Sequence, residues 1–246
     1  MIKPEGERES FMNILICDDD REIVEAIEIY LKSEGYDTFK AYDGQEALQI
    51  LESQTIHLII MDVMMPRMNG MVATMKIREN KNIPIIMLSA KSEDYDKITG
   101  LNAGADDYIC KPFNPLELVA RVKSQLRRYV DLGSLNKEGG SAQAGAAVYK
   151  TGSLVIDDEQ KAVTLDGESV TVTPIEFGIL KFLTKNAGRV FSMDQIYEAV
   201  WQEPAYNPGN TVSVHIRRIR EKIEINPKEP KYIKVVWGIG YKIEKL

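Results

Sequence analysis

Between residues 13 and 111, short apolar runs (NILIC, YDTFKA, HLIIMD, IPIIMLS and DYIC) alternate with segments whose apolar residues recur at helical spacing. Near-continuous apolar runs of this length suit strands covered on both faces. The first intervening segment sets Ile23, Ile27 and Leu31 at four-residue steps, with Val24 and Tyr30 beside them. Parallel neighbours in a sheet need a crossover between them, which is usually a helix. Five such strands alternating with five helices therefore predict an α/β domain with a doubly wound five-stranded parallel sheet. Sheets of this kind bind ligands outside the carboxyl ends of their strands.

The pattern stops after about residue 130. Residues 133–147, GSLNKEGGSAQAGAA, are rich in Gly, Ser and Ala without apolar periodicity, as in a flexible linker. From about Tyr149 the short runs SLVID, AVTLDG and SVTV precede TPIEFGILKFLTKNAG. There Thr173 is an N-cap, Pro174 takes the first helical position, and Glu176 completes a capping box. Ser192 and Gln195 repeat the arrangement in SMDQIYEAVW, and a third helix starts near Gly209. KYIKVVWGIGYKI closes as a hairpin turning on Gly238 and Gly240. Short strands, three helices and a hairpin predict an α+β winged helix-turn-helix. The expected organisation is a flexible extension (1–11), an α/β domain (12–130), a linker (131–148) and a winged-helix domain (149–246).

Composition narrows the function classes. The charged fraction of 28% and apolar fraction of 44% fit a globular protein. No apolar run approaches the length of a membrane span, and the opening MIKPEGERES lacks a signal peptide's basic and apolar regions, so a cytoplasmic location without membrane partners is expected. Cys17 and Cys110 then read as two small apolar residues rather than a redox pair. The net charge of −6 is unevenly placed: residues 1–130 carry 16 Lys and Arg against 22 Asp and Glu, and the remainder 15 of each. Local clustering, not the sum, decides whether the second half meets nucleic acid.

The acids of the first half gather where a doubly wound sheet puts its ligand. The first strand ends in Asp18, Asp19 and Asp20, and the third in Asp62. Carboxylates brought that close cannot all stay ionised without a cation. Oxygen ligands alone point to Mg²⁺ rather than zinc. Ser89 ends the fourth strand with a hydroxyl, and Lys111 follows the fifth with an ammonium; Pro112 admits a cis peptide that would aim the lysine inward. Nucleophile, metal, hydroxyl and ammonium together meet the needs of phosphoryl transfer, with Asp62 as the acceptor.

These residues carry a family resemblance. DDD after the first strand, MDVMMP, LSA and DYICKPF resemble the receiver domain of bacterial two-component response regulators over residues 12–130. That resemblance implies phosphorylation of Asp62 by a sensor histidine kinase. Asp19, Asp62 and the backbone carbonyl of Met64 would bind Mg²⁺, with Asp18 helping through water. Ser89 and Lys111 would hold the phosphoryl oxygens, and Tyr108 matches the switch aromatic. Residues 94–128 resemble the dimerising face of the OmpR/PhoB subfamily. There Lys97 would pair with Glu117 and Asp107 with Arg121 across a two-fold axis, with Asp106 near Arg128. Asn102 stands where some relatives have an acid facing Lys123.

In the third helix of the second domain Val212, Ile216, Ile219 and Ile223 form an apolar stripe. Thr211, His215, Arg218 and Lys222 form a polar, basic one, flanked by Arg217 and Arg220. A surface helix could look like this. Between another helix and a Gly-turn hairpin, it reads as a recognition helix for double-stranded DNA. Residues 149–246 resemble the OmpR/PhoB effector domain, which implies backbone contacts from Trp201, Asn210, His215, Arg217 and Arg220 and base contacts from Thr211 and Arg218. By the same resemblance QEPAYNPG (202–209) matches a loop that touches RNA polymerase. Trp237 stands in the wing where most relatives have Arg, and is expected against DNA. VVWGIGYKIEK is similar to the end of VanR-type regulators. The rival class is an enzyme: ILICDDD with a later lysine faintly resembles a haloacid-dehalogenase-type phosphatase using Asp18, which leaves Asp62 unexplained.

Overall fold

The structure, a computed structural model, describes residues 12–90, 103–131, 147–202 and 209–246. Strands β1 (Asn13–Cys17), β2 (Asp37–Ala41), β3 (Leu58–Asp62), β4 (Ile85–Ala90) and β5 (Asp107–Lys111) form a parallel sheet in the order β2-β1-β3-β4-β5. Helices α1 (Arg21–Ser33), α2 (Gly44–Ser53), α3 (Gly70–Asn80) and α4 (Pro115–Asp131) accompany them. The fifth helix expected between β4 and β5 falls largely at 91–102, outside the described residues.

Alternation along the strands fills two cores. Ile14, Ile16, Leu58, Ile60, Ile86 and Leu88 pack with Val24, Ile27 and Leu31 of α1 and Leu118, Val122 and Leu126 of α4. Leu15, Cys17, Ile59, Met61, Ile85 and Met87 pack with Ala47 and Leu51 of α2 and Ala73 and Ile77 of α3. Each buried Ile or Leu contributes on the order of 1.5–3 kcal/mol, so register is set by both faces at once. Of the first helix's expected stripe, Val24, Ile27 and Leu31 are buried while Tyr30 is exposed.

The second unit opens with a four-stranded antiparallel sheet, β6 (Val148–Thr151), β7 (Leu154–Asp157), β8 (Ala162–Leu165) and β9 (Glu168–Ser169). The run SVTV pairs less than its composition suggests. Its ladder ends at Ser169, and beyond a single bond from Val170 N–H to Val163 O, Val170 and Val172 turn to the core. Helices α5 (Pro174–Lys185), α6 (Met193–Trp201) and α7 (Gly209–Ile223) follow, and β10 (Ile233–Val236) and β11 (Gly240–Ile243) make the wing. Both expected capping boxes are present, Thr173 with Glu176 and Ser192 with Gln195. Gly240, at φ +155°, lies so close to Phe191 that a Cβ would sit 2.0 Å from its carbonyl oxygen. The wing is thereby fastened to the start of α6.

Candidate functional site

Register builds the acidic edge. Cys17 of β1 lies opposite Met61 of β3, so the next residues, Asp18 and Asp62, come level where the strands end. Asp18 and Asp62 are buried and Asp19 is exposed; one carboxylate oxygen from each lies within 4.8 Å of the others. Asp20 takes a structural part, accepting from the N–H groups of Glu22 and Ile23 as the N-cap of α1. Its own N–H donates to Asp18 Oδ1 at 3.1 Å. The peptide before Pro112 is cis.

Lys111 Nζ stands 2.6 Å from Asp18 Oδ2 and 2.6 Å from Asp62 Oδ1. The other Asp62 oxygen accepts the Met64 N–H at 2.7 Å. Burial raises the pKa of Asp18 and of Asp62, against the lowering effect of the hydrogen bonds from Lys111. For Lys111 burial opposes the charge, but its bonds to the two carboxylates prevail and raise its pKa. A buried carboxylate group this close to an ammonium, with a third acid open to solvent, suits an all-oxygen divalent cation site. Equally, it suits a carboxylate nucleophile whose partner groups absorb charge on a transferring anion.

Neighbouring elements complete the edge. Ser89 follows Leu88, the β4 partner of Asp62; it is buried, and its hydroxyl donates to Ala90 O at 3.2 Å. Tyr108 is half-buried on β5, opposite Met87. Gly70 starts α3 directly behind the site: a Cβ there would lie 1.9 Å from the Asp62 carbonyl oxygen. Cys17 and Cys110 are both free, and burial pushes the Cys17 thiol well up.

The basic helix is placed differently from a freely exposed reader. Val212, Ile216, Ile219 and Ile223 are buried as the periodicity predicts. His215 and Trp201, expected at DNA, are fully buried in this arrangement. The reason is packing: Trp201 stacks on Tyr197 with centroids 4.6 Å apart, and His215 lies 5.5 Å from the Trp201 ring. Burial, then the nearby Arg218 charge, lower the His215 pKa well below its ordinary value. Lys222 and Arg218 turn towards buried Glu176 of α5, at 2.6 and 3.4 Å. Arg220 donates to Ile233 O at 3.1 and 2.8 Å, tying the wing to α7. Arg217 is exposed and pairs with Glu221 at 3.1 Å; Thr211 is half-buried, and the side chain of Asn210 lies outside the described residues. Trp237 is 88% exposed at the wing tip.

Another side of this helix meets the first domain. Arg218 Nη1 donates to Ala105 O at 3.1 Å and Nη2 to Gly104 O at 3.4 Å. Val214 joins the core cluster of the parallel sheet. On α4, Arg128 Nη1 donates to Trp201 O and to Ser124 Oγ, both at 2.6 Å. The charged pairs expected across a two-fold axis are also engaged within the chain. Arg121 binds both oxygens of Asp107 at 3.0 Å and Glu117 at 3.0 Å. Asp106 pairs with Arg78 at 2.5 Å, and Arg128 donates to Trp201 O at 2.6 Å. Lys123 pairs with Glu34 at 2.6 Å. Lys97 and Asn102 lie outside the described residues. Sequence reading missed Arg78, Ser124 and Glu176, whose only visible signal was the capping box of the last.

Comparisons with known proteins agree with both units. Residues 14–123 match the response regulator receiver domain, and residues 167–243 match the C-terminal domain of transcriptional regulatory proteins. The regulatory protein VanR of Enterococcus faecium is 45% identical over 233 residues, which cover 94% of this chain and 98% of VanR. A transcriptional regulatory protein of Bacillus subtilis, YcbL, is 40% identical over 229 residues, 93% of this chain and 99% of its own. Among solved structures a RitR mutant, 25% identical, aligns with a TM-score of 0.71 over 95% of this chain and 99% of that one. Neither domain alone spans the chain, so a score that high requires the two domains to be placed alike in both proteins. No described helix is long and apolar enough to cross a membrane. With a receiver at the acidic edge, a winged helix behind it and full-length relatives that regulate transcription, the chain belongs to the DNA-binding two-component response regulators of OmpR/PhoB type.

Proposed function

We propose that Asp62 accepts a phosphoryl group from a sensor histidine kinase and that this modification governs transcription in the cytoplasm. The observation that carries the reading is Lys111, held by both Asp18 and Asp62 beside a third carboxylate. A carboxylate oxygen of Asp62 attacks phosphorus, the bond to the kinase imidazole breaks, and the imidazole leaves with a proton. Asp19, Asp62 and the Met64 carbonyl would hold Mg²⁺ directly, and Asp18 through water. When bound, the ion would neutralise charge on the phosphoryl oxygens. Ser89 and Lys111 hold those oxygens as well, and Tyr108 moves with Ser89. This reaction is self-modification rather than turnover of a substrate.

The phosphorylated receiver, residues 12–130, then dimerises through the 94–128 face, with Lys97, Asp106, Asp107, Glu117, Arg121 and Arg128 as its charged positions. The effector, residues 149–246, reads paired DNA sites through Asn210, Thr211, His215, Arg217, Arg218, Arg220 and Lys222 of α7, Trp201 at the end of α6 and Trp237 of the wing; Trp201 and His215, buried here, must be uncovered to do so. Two linked half-sites gain affinity through effective concentration. The 202–209 loop is assigned to RNA polymerase. Incubation with acetyl phosphate and Mg²⁺ should add one phosphoryl group, found on Asp62 by peptide mass spectrometry, and Asp62→Asn should take none. Persistent labelling of that variant at Asp18 would contradict the reading in favour of a phosphatase-type nucleophile.

A further inference from the structure

Gly178, Lys181, Phe182 and Lys185 follow one another along α5 at three- and four-residue steps, which puts them on one face of the helix. That face borders a cavity of about 410 Å³. Ala199 and Val200 of α6 form a second wall. The two helices approach closely because Gly178 has no side chain: a Cβ there would lie 2.9 Å from Val200 Cγ1. Lys161, from the turn between β7 and β8, and Arg128, from α4 of the first domain, add two more cations to the lining. None of the described lining residues is acidic.

Cations gathered in this way repel one another, and like charges at i and i+4, as in Lys181 and Lys185, weaken a helix. Asp158 offsets only part of this, and it is shared: Lys161 Nζ and Lys181 Nζ each stand 2.7 Å from one of its two oxygens. Burial raises the Asp158 pKa, yet the bonds from both lysines prevail and hold it below the usual range. Lys185 is exposed and has no ion-pair partner among the described residues. Arg128 is buried and fixed by Trp201 O and Ser124 Oγ, both at 2.6 Å. One cation is thus held rigidly, and three others are carried on flexible stems.

A recess lined by one sign of charge concentrates ions of the other sign. Its volume exceeds what a single phosphate fills and falls in the range of organic ligand sites, which begins at about 300 Å³. Phe182, Ala199 and Val200 supply an apolar wall for the organic part. A rigid duplex would not reach the buried guanidinium. We propose that this cavity binds a small organic polyphosphate of nucleoside diphosphate size. Its phosphates lie on Lys161, Lys181 and Lys185 in the field of Arg128, and its organic part lies against Phe182 and the α6 wall. The proposal rests neither on the phosphorylation of Asp62 nor on the DNA-binding reading of α7.

The test is titration calorimetry of the full chain with ADP in EDTA. Chelation keeps divalent cations from bridging the nucleotide to the acidic edge, whose three carboxylates alone repel phosphate. One ADP per chain is expected. Pyrophosphate and adenosine should each bind about tenfold more weakly or worse, because each lacks one half of the contacts. Lys181→Gln combined with Lys185→Gln should weaken ADP about tenfold or more through the loss of charged hydrogen bonds. Ala199→Trp leaves every charge in place and should exclude ADP by bulk; Ala199 is exposed on α6, so the change needs no repacking of the core. Lys228→Gln, which removes an exposed lysine that does not line the cavity, should bind ADP as the wild type does. Absence of ADP binding, or binding left unchanged by either cavity variant, would overturn the site. Equal weakening in Lys228→Gln would reduce it to diffuse charge attraction and overturn it as well. Pyrophosphate or adenosine binding as tightly as ADP would overturn the ligand class.

Discussion

Asp62 sits at the end of an apolar strand because its neighbours make a charge there tolerable: Lys111 faces one oxygen and the Met64 N–H the other. Unpaired, a buried carboxylate would be neutralised instead. That much was legible, since each partner falls at a strand end in the sequence. The fate of His215 was not legible. Its spacing with Thr211 and Arg218 marks a polar stripe, but only the folded chain shows the stripe turned inward. Arg218 and Lys222 of α7, Arg78 of α3 and Asp106 before β5 act on its ring, which lies against that of Trp201, and Glu176 of α5 pairs with Arg218. Burial lowers its pKa from an ordinary 6.5 in this arrangement. A group whose pKa is depressed in one state binds more protons in the other. The arrangement that buries His215 is therefore fully favoured above about pH 6.5, and loses that advantage as pH falls below it. Hydrogen exchange at 103–108 is expected to quicken between pH 7.5 and pH 5.5 after correction for intrinsic rates. His215→Phe should remove the difference; equal acceleration in that variant would assign the effect elsewhere.

At the scale of elements, strand periodicity was the clearest signal. Odd and even positions of β1, β3 and β4 go to separate cores, as alternation requires. Capping boxes placed α5 and α6 from sequence because their chemistry is local. Close approaches were less visible. Gly70 lets α3 begin against the Asp62 carbonyl, and Gly70→Ala should cost roughly 1–3 kcal/mol by overpacking, read as a lowered denaturant midpoint. It should also slow labelling of Asp62, because the strand end must shift. Normal stability and labelling would mean that α3 slides freely. The wing offers a second test. Trp237 is exposed with no cation at its place, so Trp237→Arg should steepen the fall of log K with log salt by about 0.9, one more phosphate neutralised. Trp237→Ala should weaken binding at every salt with the slope unchanged. If neither changes binding, the wing tip stands off the DNA.

The two-domain plan of the whole molecule was readable from the change of periodicity and the Gly-rich segment between the halves. How the halves meet was not. Arg218, Arg128 and Arg78 look in sequence like solvated cations, and nothing local says that two of them grip carbonyls of the other domain. Such contacts depend on residues 73 to 114 positions apart, and sequence periodicity carries no information at that range. The central claim is that the state of Asp62 controls DNA binding. It is tested most directly by the affinity of the full chain for its selected duplex, before and after acetyl phosphate with Mg²⁺, in wild type and in Asp62→Asn. The account predicts tightening of about 5- to 150-fold, the usual range of allosteric coupling, in the wild type alone. Equal affinity in both states of the wild type, or tightening that survives in Asp62→Asn, would contradict it.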